Sequence, residues 1–215
     1  MAKDHHIKGL NTPKMAKEAA KYRKMFGVDD AEQIDIMDIL EFRLREFYPG
    51  FRLIIKRDSE LKDHALADIP NNQILVRQSI YMGAYEGDCE SRLILAHELG
   101  HYLLHKEKNS VMHKTIDGVY ETIEGLNSDE STEDQADMFA AHFLVKPSIA
   151  FELKHDPFTL SKKTGVPLKE AKSMISAAKR SSLRTLTHTR AMTFAEKMRA
   201  RGSDACLEHL PLFEQ

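Results

Sequence analysis

Residues 97–101 read His-Glu-Leu-Gly-His. The preceding residues, 90–96, are good helix formers without Gly or Pro, so we expect the string to lie within a helix. At about 3.6 residues per turn, positions i and i+4 lie one above the other on a helix face. His97 and His101 can therefore direct imidazole nitrogens at one metal ion, and the pattern is typical of a zinc site. Glu98 is offset from the row of the two histidines. From there its carboxylate can accept a proton from a metal-bound water rather than bind the metal itself.

Gly100 lies inside this motif although a glycine costs about 1 kcal/mol of helix propensity relative to alanine. We expect it where another element approaches the helix backbone closely. Taken alone, the five-residue motif also fits a helix that carries two exposed histidines, so the function depends on a further ligand.

A catalytic zinc ion usually has three protein ligands and one open position. One arrangement adds a third histidine in the pattern His-x-x-Gly-x-x-His, but Leu104 and Glu107 occupy the required Gly and His positions. His105 lies four residues beyond His101, a full turn too far along the same helix to share the ion. We expect it to cap or solvate the helix end.

A second arrangement takes a glutamate from another helix in the pattern Glu-x-x-(small)-Asp, and residues 133–137 read Glu-Asp-Gln-Ala-Asp. Glu133 is the predicted third ligand, and Ala136 permits close helix packing. Asp137, on the same face as Glu133, is placed to accept a hydrogen bond from a ligand histidine, which fixes the imidazole tautomer. An acidic helix start favoured by the macrodipole explains Glu133 alone but not the ordered pair of motifs.

The two motifs, His-Glu-Leu-Gly-His-Tyr-Leu-Leu-His (97–105) and Glu-x-x-Ala-Asp-x-Phe-Ala-Ala (133–141), resemble the ImmA/IrrE family of metallopeptidases, among the gluzincin-like zincins. The resemblance implies a Zn²⁺ cofactor and cleavage of helix-turn-helix transcriptional repressors of stress responses or mobile elements. Members commonly have Leu-Met-Pro after Phe-Ala-Ala, whereas this chain has Leu-Val-Lys-Pro at 144–147. That departure concerns the helix exit rather than the metal ligands.

Residue patterns elsewhere predict an α+β fold, a helix-rich zincin-like domain with about three strands packed on the metal-binding helix, plus a C-terminal helical hairpin. The segments assigned are helices near 14–26, 30–47 and 193–200, strands near 51–55, 65–68 and 73–76, and some strand within 111–119. An edge strand of zincins pairs with the extended substrate, and we expect 73–76 near that edge. The predicted division is a disordered N-terminus (1–13), a metallopeptidase domain (14–155), a helix-turn-helix-like appendage (156–201) and a tail (202–215).

Charge is unevenly distributed along a chain of net charge −2. Residues 117–137 hold eight acidic residues and no Lys or Arg, which indicates a solvated face beside a cation or a rim that attracts a basic substrate. Residues 161–201 hold eleven Lys or Arg against two acids. The second helix of this basic hairpin could read a DNA groove, but basic helix faces are usually just solvated, and we expect the solvated face here.

No apolar run reaches the roughly 18 residues of a transmembrane helix, and the N-terminus has no secretory signal. Cys89 and Cys206 are far apart and are expected to be free thiols, so we predict a cytoplasmic protein with no membrane contact.

The expected function is a zinc metalloendopeptidase whose partner is a protein substrate, a DNA-binding repressor. Two alternatives stay open: a non-catalytic zinc-containing regulator that binds DNA or a partner through its basic C-terminal helices, and a broader or toxin-like protease. A further donor should stabilise the oxyanion of the reaction. The candidates are Tyr102, His113, Tyr120, His142 and His155.

Overall fold

A computed structural model describes residues 10–105, 111–113 and 131–183 of the chain, with the backbone alone at 111–113. In chain order the elements are α1 (Thr12–Met25), α2 (Ile36–Asp38), a π-helical turn (Ile39–Arg43), α3 (Leu44–Phe47), β1 (Arg52–Lys56), β2 (Ala65–Asp68), β3 (Gln73–Arg77), α4 (Gln78–Glu86), α5 (Cys89–Leu104), β4 (Val111–His113), α6 (Thr132–Leu144), α7 (Pro147–Glu152), α8 (Pro157–Thr164) and α9 (168–183). The predicted α+β class, helix-rich with a small sheet, is confirmed.

The strands form one mixed sheet in the order β1-β3-β2-β4. β3 pairs in parallel with β1 and antiparallel with β2, so that Ile74 lies opposite Leu53 on one side and Ala67 on the other. The expectation that 73–76 lies near the sheet edge is therefore wrong, because β1 occupies the second side of β3. Within the described residues, the edges are β1 and β4. β4 adds a fourth strand, in the stretch where some strand was expected.

Helix α5 carries the first motif and packs against β2, which confirms a sheet packed on the predicted metal-binding helix. Asp88 begins the helix, since its carboxylate accepts a hydrogen bond from Ser91 N at 2.8 Å, and an N-terminal carboxylate also suits the helix dipole. Leu95 and Leu99 are fully buried. One side of this helix therefore lies in the apolar core.

Helix α6, which carries the second motif, contacts both α5 and α1. On the α1 side, Tyr22 meets Phe139 edge to face with ring centroids 5.8 Å apart. The buried guanidinium of Arg23 donates a hydrogen bond to Phe143 O at 2.7 Å, near the end of α6, where cations suit the helix dipole. These contacts pack α6 against α1.

Two helical segments differ from the sequence prediction. The helix expected over 30–47 begins only at Ile36. Asp35 caps its N-terminus, because the Asp35 carboxylate accepts hydrogen bonds from Met37 N and Asp38 N, at 3.0 and 3.1 Å. Helix α4 was not predicted. It is short and ends at Gly87, whose φ of 91° is the left-handed conformation that glycine adopts readily.

The C-terminal hairpin has the predicted helix, Gly-containing turn and helix. Gly165 ends α8 in the left-handed conformation, with φ 65° and ψ 41°. Leu160, Val166 and Met174 of this hairpin belong to the same buried apolar cluster as α5 and α6. The division into domains stays a prediction, and the segments predicted at 193–200 and 202–215 lie outside the described residues, as does most of the predicted N-terminal segment. Among the described helices, none has the length and apolar character needed to cross a membrane.

Candidate metal centre

His97 and His101 project from one face of α5 into the interior, with 1 % and 0 % of their surfaces exposed. Their ring centroids are 4.6 Å apart and their Nε2 atoms face each other at 2.9 Å. The alternative of a helix with two exposed histidines is therefore excluded. Two imidazoles buried with their nitrogens together need either a shared proton or a shared cation between them.

Glu133 comes to the same point from the first turn of α6. Ser131 begins that helix, since its hydroxyl oxygen accepts a hydrogen bond from Asp134 N at 3.1 Å. One Glu133 oxygen, Oε1, lies 3.2 Å from His101 Nε2, and the other, Oε2, lies 3.4 Å from His97 Nε2. The predicted ligand set His97, His101 and Glu133 is thus brought together.

Gly100 is what permits this convergence. A Cβ built at this position would lie 3.0 Å from Phe139 Cδ1 and 3.3 Å from both Cα and O of Ala136. Two of these three contacts are with α6 backbone, which cannot rotate out of the way. The close approach expected at Gly100 and the small residue expected at 136 are therefore parts of one contact between α5 and α6.

The donor set fits a zinc ion in geometry. With zinc–ligand distances of about 2.0–2.1 Å and tetrahedral angles, neighbouring ligand atoms lie roughly 3.3 Å apart. Here the two Nε2 atoms lie 2.9 Å apart, and each lies near a different Glu133 oxygen, at 3.2 Å for His101 and Oε1 and at 3.4 Å for His97 and Oε2. Glu133 Oε2 is buried and accepts no hydrogen bond among the described residues. A buried carboxylate oxygen is costly unless a positive charge or donor faces it, so this atom also fits a cation.

The titration behaviour of the ligands leads to the same conclusion. Burial lowers the pKa of His97, but the hydrogen bond with Asp137 and the nearby carboxylate of Glu133 outweigh it and raise the pKa to about 9. Burial raises the pKa of Glu133, but the adjacent imidazoles of His101 and His97 outweigh it and hold the pKa well below its usual range. For His101 burial dominates and lowers the pKa. The site therefore stabilises one positive charge between its ligand atoms, which is what a metal ion supplies.

Asp137 lies where the sequence placed it. Its Oδ1 is 2.7 Å from His97 Nδ1, while the Asp137 side chain is 51 % exposed. A carboxylate here accepts the Nδ1 proton and so directs the lone pair of Nε2 toward the ligand cluster. His105 was expected to cap or solvate the helix end. It is the residue that follows α5, but it is buried, and its ring nitrogen Nδ1 lies 3.0 Å from Nδ1 of His101.

Glu98 is fully buried and bonded to the sheet, because its Oε2 accepts a hydrogen bond from Ala67 N of β2 at 2.8 Å. The strand thereby fixes the position of this carboxylate, which is on the same helix as His97 and His101. The sequence predicted the residue and its neighbourhood but not the strand contact, because that contact joins residues 31 apart in the chain.

The residues proposed as oxyanion donors lie in different parts of the molecule. The Tyr102 hydroxyl donates to Asn72 and its ring packs on Tyr48 and Phe51, so it has a structural role in the core. His155 is exposed on the surface. Tyr120 and the side chain of His113 lie outside the described residues, and His142 is buried in α6.

Residues 52–176, more than half of the chain, match the model of the Peptidase_M78 family, described as the IrrE N-terminal-like domain. The matched region contains both motifs, all four strands and the three converging residues. The chain therefore belongs to this family, and the resemblance drawn from the two motifs is confirmed. Membership makes it a metallopeptidase. No curated protein matches the chain.

Gly100→Ala should weaken metal binding. Alanine gains about 1 kcal/mol of helix propensity, but its methyl group would push on the Ala136 backbone and move Glu133 away from the histidines. We expect the zinc affinity, measured by competition with a chelator, to fall on the order of tenfold. Gly83→Ala is the comparison, because its methyl group would press on Ser91 at the other end of α5. An equal loss of affinity in both variants would contradict the assigned role of Gly100.

His142 should make stability depend on pH. Burial lowers its pKa to about 4, against about 6.5 in an unfolded chain. Its contribution is fully present above pH 6.5 and is lost as the pH falls toward 4, because the unfolded state then binds the proton more strongly.

Between pH 7 and 4.5 the free energy of unfolding of the wild type should fall about 2–3 kcal/mol more than that of His142→Leu. Urea unfolding of both proteins in the presence of a chelator measures this difference, in which the other titrating groups cancel. Parallel pH profiles would contradict it.

Proposed function

We propose that this metallopeptidase is a zinc-dependent endopeptidase that hydrolyses a peptide bond in a regulatory protein, a helix-turn-helix repressor of a stress response or a mobile element. The observation that carries the proposal is the buried cluster of His97, His101 and Glu133, with the carboxylate of Glu98 on the same helix. Among the described residues the cluster has three ligand side chains, which supports a catalytic ion, since structural zinc sites use four protein ligands and catalytic sites use three.

The donors favour zinc because imidazole nitrogens with one carboxylate suit this ion and the two histidines are spaced i and i+4 on one helix. Two histidines and a carboxylate also hold iron in non-haem enzymes, so metal analysis is part of the test. When bound, zinc would supply Lewis-acid chemistry that polarises the peptide carbonyl and acidifies water.

Glu98 is proposed as the general base and acid. Its carboxylate would accept the proton of the attacking water and pass it to the nitrogen of the leaving amine. The hydrogen bond from Ala67 N holds the carboxylate in place, so that little reorganisation is needed when the proton moves. Its complete burial supports this role, because the electrostatic interactions of a charged group are stronger where bulk water is excluded.

The sheet supports an extended substrate. β4 pairs with β2 on one side, and within the described residues no strand covers its other side. β2 also contacts α5, so β4 is the edge of the sheet on the side of the metal centre. We propose that the substrate backbone adds to β4 as a further strand, which replaces the expected role of residues 73–76.

The charge of the chain near the site favours a basic substrate. Apart from the ligand Glu133 and the His97 partner Asp137, six acidic residues between positions 117 and 134 would attract a basic protein, and DNA-binding repressors are basic. The free thiol of Cys89 fits a reducing compartment, which supports the cytoplasm as the place of action.

A non-catalytic regulator is the second candidate, favoured by one observation. The C-terminal hairpin exposes a set of basic side chains that a nucleic acid could contact: Lys162, Lys163, Lys169, Lys172, Lys179 and Arg180. Glu98 argues against this candidate, because a site that only holds zinc has no use for a buried carboxylate beside its ligands.

Glu98→Gln should retain the metal and lose proteolysis. The amide keeps the size of the side chain but cannot take up the proton, so we expect cleavage to fall by at least about 10²-fold. Zinc content by atomic emission and cleavage by mass spectrometry measure the two properties separately. Glu90→Gln removes the same charge from an exposed position of the same helix and serves as the control. Undiminished cleavage by Glu98→Gln would overturn the assignment.

A repressor encoded beside this chain should be cut when the two are co-expressed. We expect one internal cleavage, visible as a new N-terminus within the repressor, which is absent with a chelator and with Glu98→Gln. A repressor that stays intact beside zinc-loaded protein would contradict the substrate class. DNA mobility shifts by metal-free protein would instead favour the regulator.

A further inference from the structure

His105 contacts the proposed metal ligand His101 at hydrogen-bond distance through both its backbone and its side chain. Its amide N donates to the carbonyl of His101 at 3.0 Å, and its Nδ1 lies 3.0 Å from Nδ1 of His101. The two rings are tilted by 55° with centroids 5.2 Å apart, and only 2 % of His105 is exposed. Position and burial therefore fix this imidazole behind the ligand ring, on the side away from His97 and Glu133.

The protons of the pair follow from the ligand cluster. His101 Nε2 faces His97 Nε2 at 2.9 Å and Glu133 Oε1 at 3.2 Å, so it is the nitrogen that would bind the metal. A neutral imidazole that coordinates through Nε2 carries its proton on Nδ1. Among the described residues, the lone pair of His105 Nδ1 faces that proton at hydrogen-bond distance, and accepting it requires His105 to carry its own proton on Nε2.

We infer that His105 is a positioning residue for the metal ligand His101. Its Nδ1 accepts the Nδ1 proton of His101, which sets the tautomer of that ligand and the orientation of its ring. The inference rests on the proposed metal centre. His105 lies outside the ligand cluster, as the sequence predicted, but the turn of the helix after His101 brings its ring against the ligand rather than into solvent.

The two ligand histidines are thus supported by different chemistry. His97 is backed by Asp137, a carboxylate whose side chain is half exposed and therefore hydrated. His101 is backed by an imidazole at a fully buried position. A carboxylate at position 105 would bring another negative charge into an interior that already holds Glu98 and Glu133, at a large desolvation cost. A neutral acceptor makes the same hydrogen bond without that charge.

The test uses two variants of the full chain that match in shape. In His105→Asn the amide oxygen occupies nearly the place of Nδ1 and can accept the proton. In His105→Leu a methyl group stands at the same place and cannot. We expect zinc affinity, measured by competition with a chelator, to fall about 10–100-fold in His105→Leu and to stay within about threefold of wild type in His105→Asn. The visible absorption bands of the cobalt-loaded protein should change in the leucine variant only.

His105→Gln gives a second comparison that does not depend on the leucine variant folding. Its amide is as polar as that of asparagine but lies one bond farther out, so we expect it to lose affinity where His105→Asn does not. Equal affinity in all three variants, or an equal loss in all three, would overturn the inference. A wild-type protein that binds no zinc would instead overturn the proposed metal centre, and the inference with it.

Discussion

The close approach of α5 and α6 at Gly100 and Ala136 is the contact on which the rest of the site depends. Two histidines on one helix make only half of a metal centre. The third ligand is on a helix whose backbone must come within van der Waals distance of the first. Glycine and alanine permit this, and the edge-to-face contact between Tyr22 and Phe139 packs α6 against α1 as well.

Several polar and charged side chains are buried around this contact, and a protein core tolerates such groups only when they are paired. His97, Glu98, His101, His105 and Glu133 are all buried. Most of this cost is offset by pairing: the Ala67 amide bonds to Glu98, Asp137 to His97, and His105 to His101. The oxygen Oε2 of Glu133 is the atom that a cation compensates best. Helix, strand and ligand set thus form one network, in which the sheet holds the proposed base and the helices hold the proposed ligands.

The parts that the sequence predicted are those set by local spacing. The i, i+4 geometry placed His97 and His101 together, the pattern at 133–137 predicted Glu133 and Asp137, and short apolar runs predicted β1, β2 and β3. The parts it missed depend on contacts between distant residues. Nothing near 73–76 shows that β1 will pair on its second side, since strand order is decided by packing of the whole sheet. His105 was placed at the helix end correctly, but its burial depends on the surrounding fold. The signal available was a third histidine, four residues after His101 as His101 is four after His97.

The central claim is that His97, His101 and Glu133 together bind one zinc ion and leave a position open for chemistry. X-ray absorption spectroscopy at the zinc edge of the loaded protein tests it most directly. We predict one zinc ion per chain with two imidazole nitrogens and oxygen donors at about 2.0–2.2 Å, and the loss of ordered coordination in Glu133→Gln but not in Asp134→Asn, which removes a charge from the same helical turn. Sulfur ligands, a third imidazole ligand or an unchanged spectrum in Glu133→Gln would contradict the account.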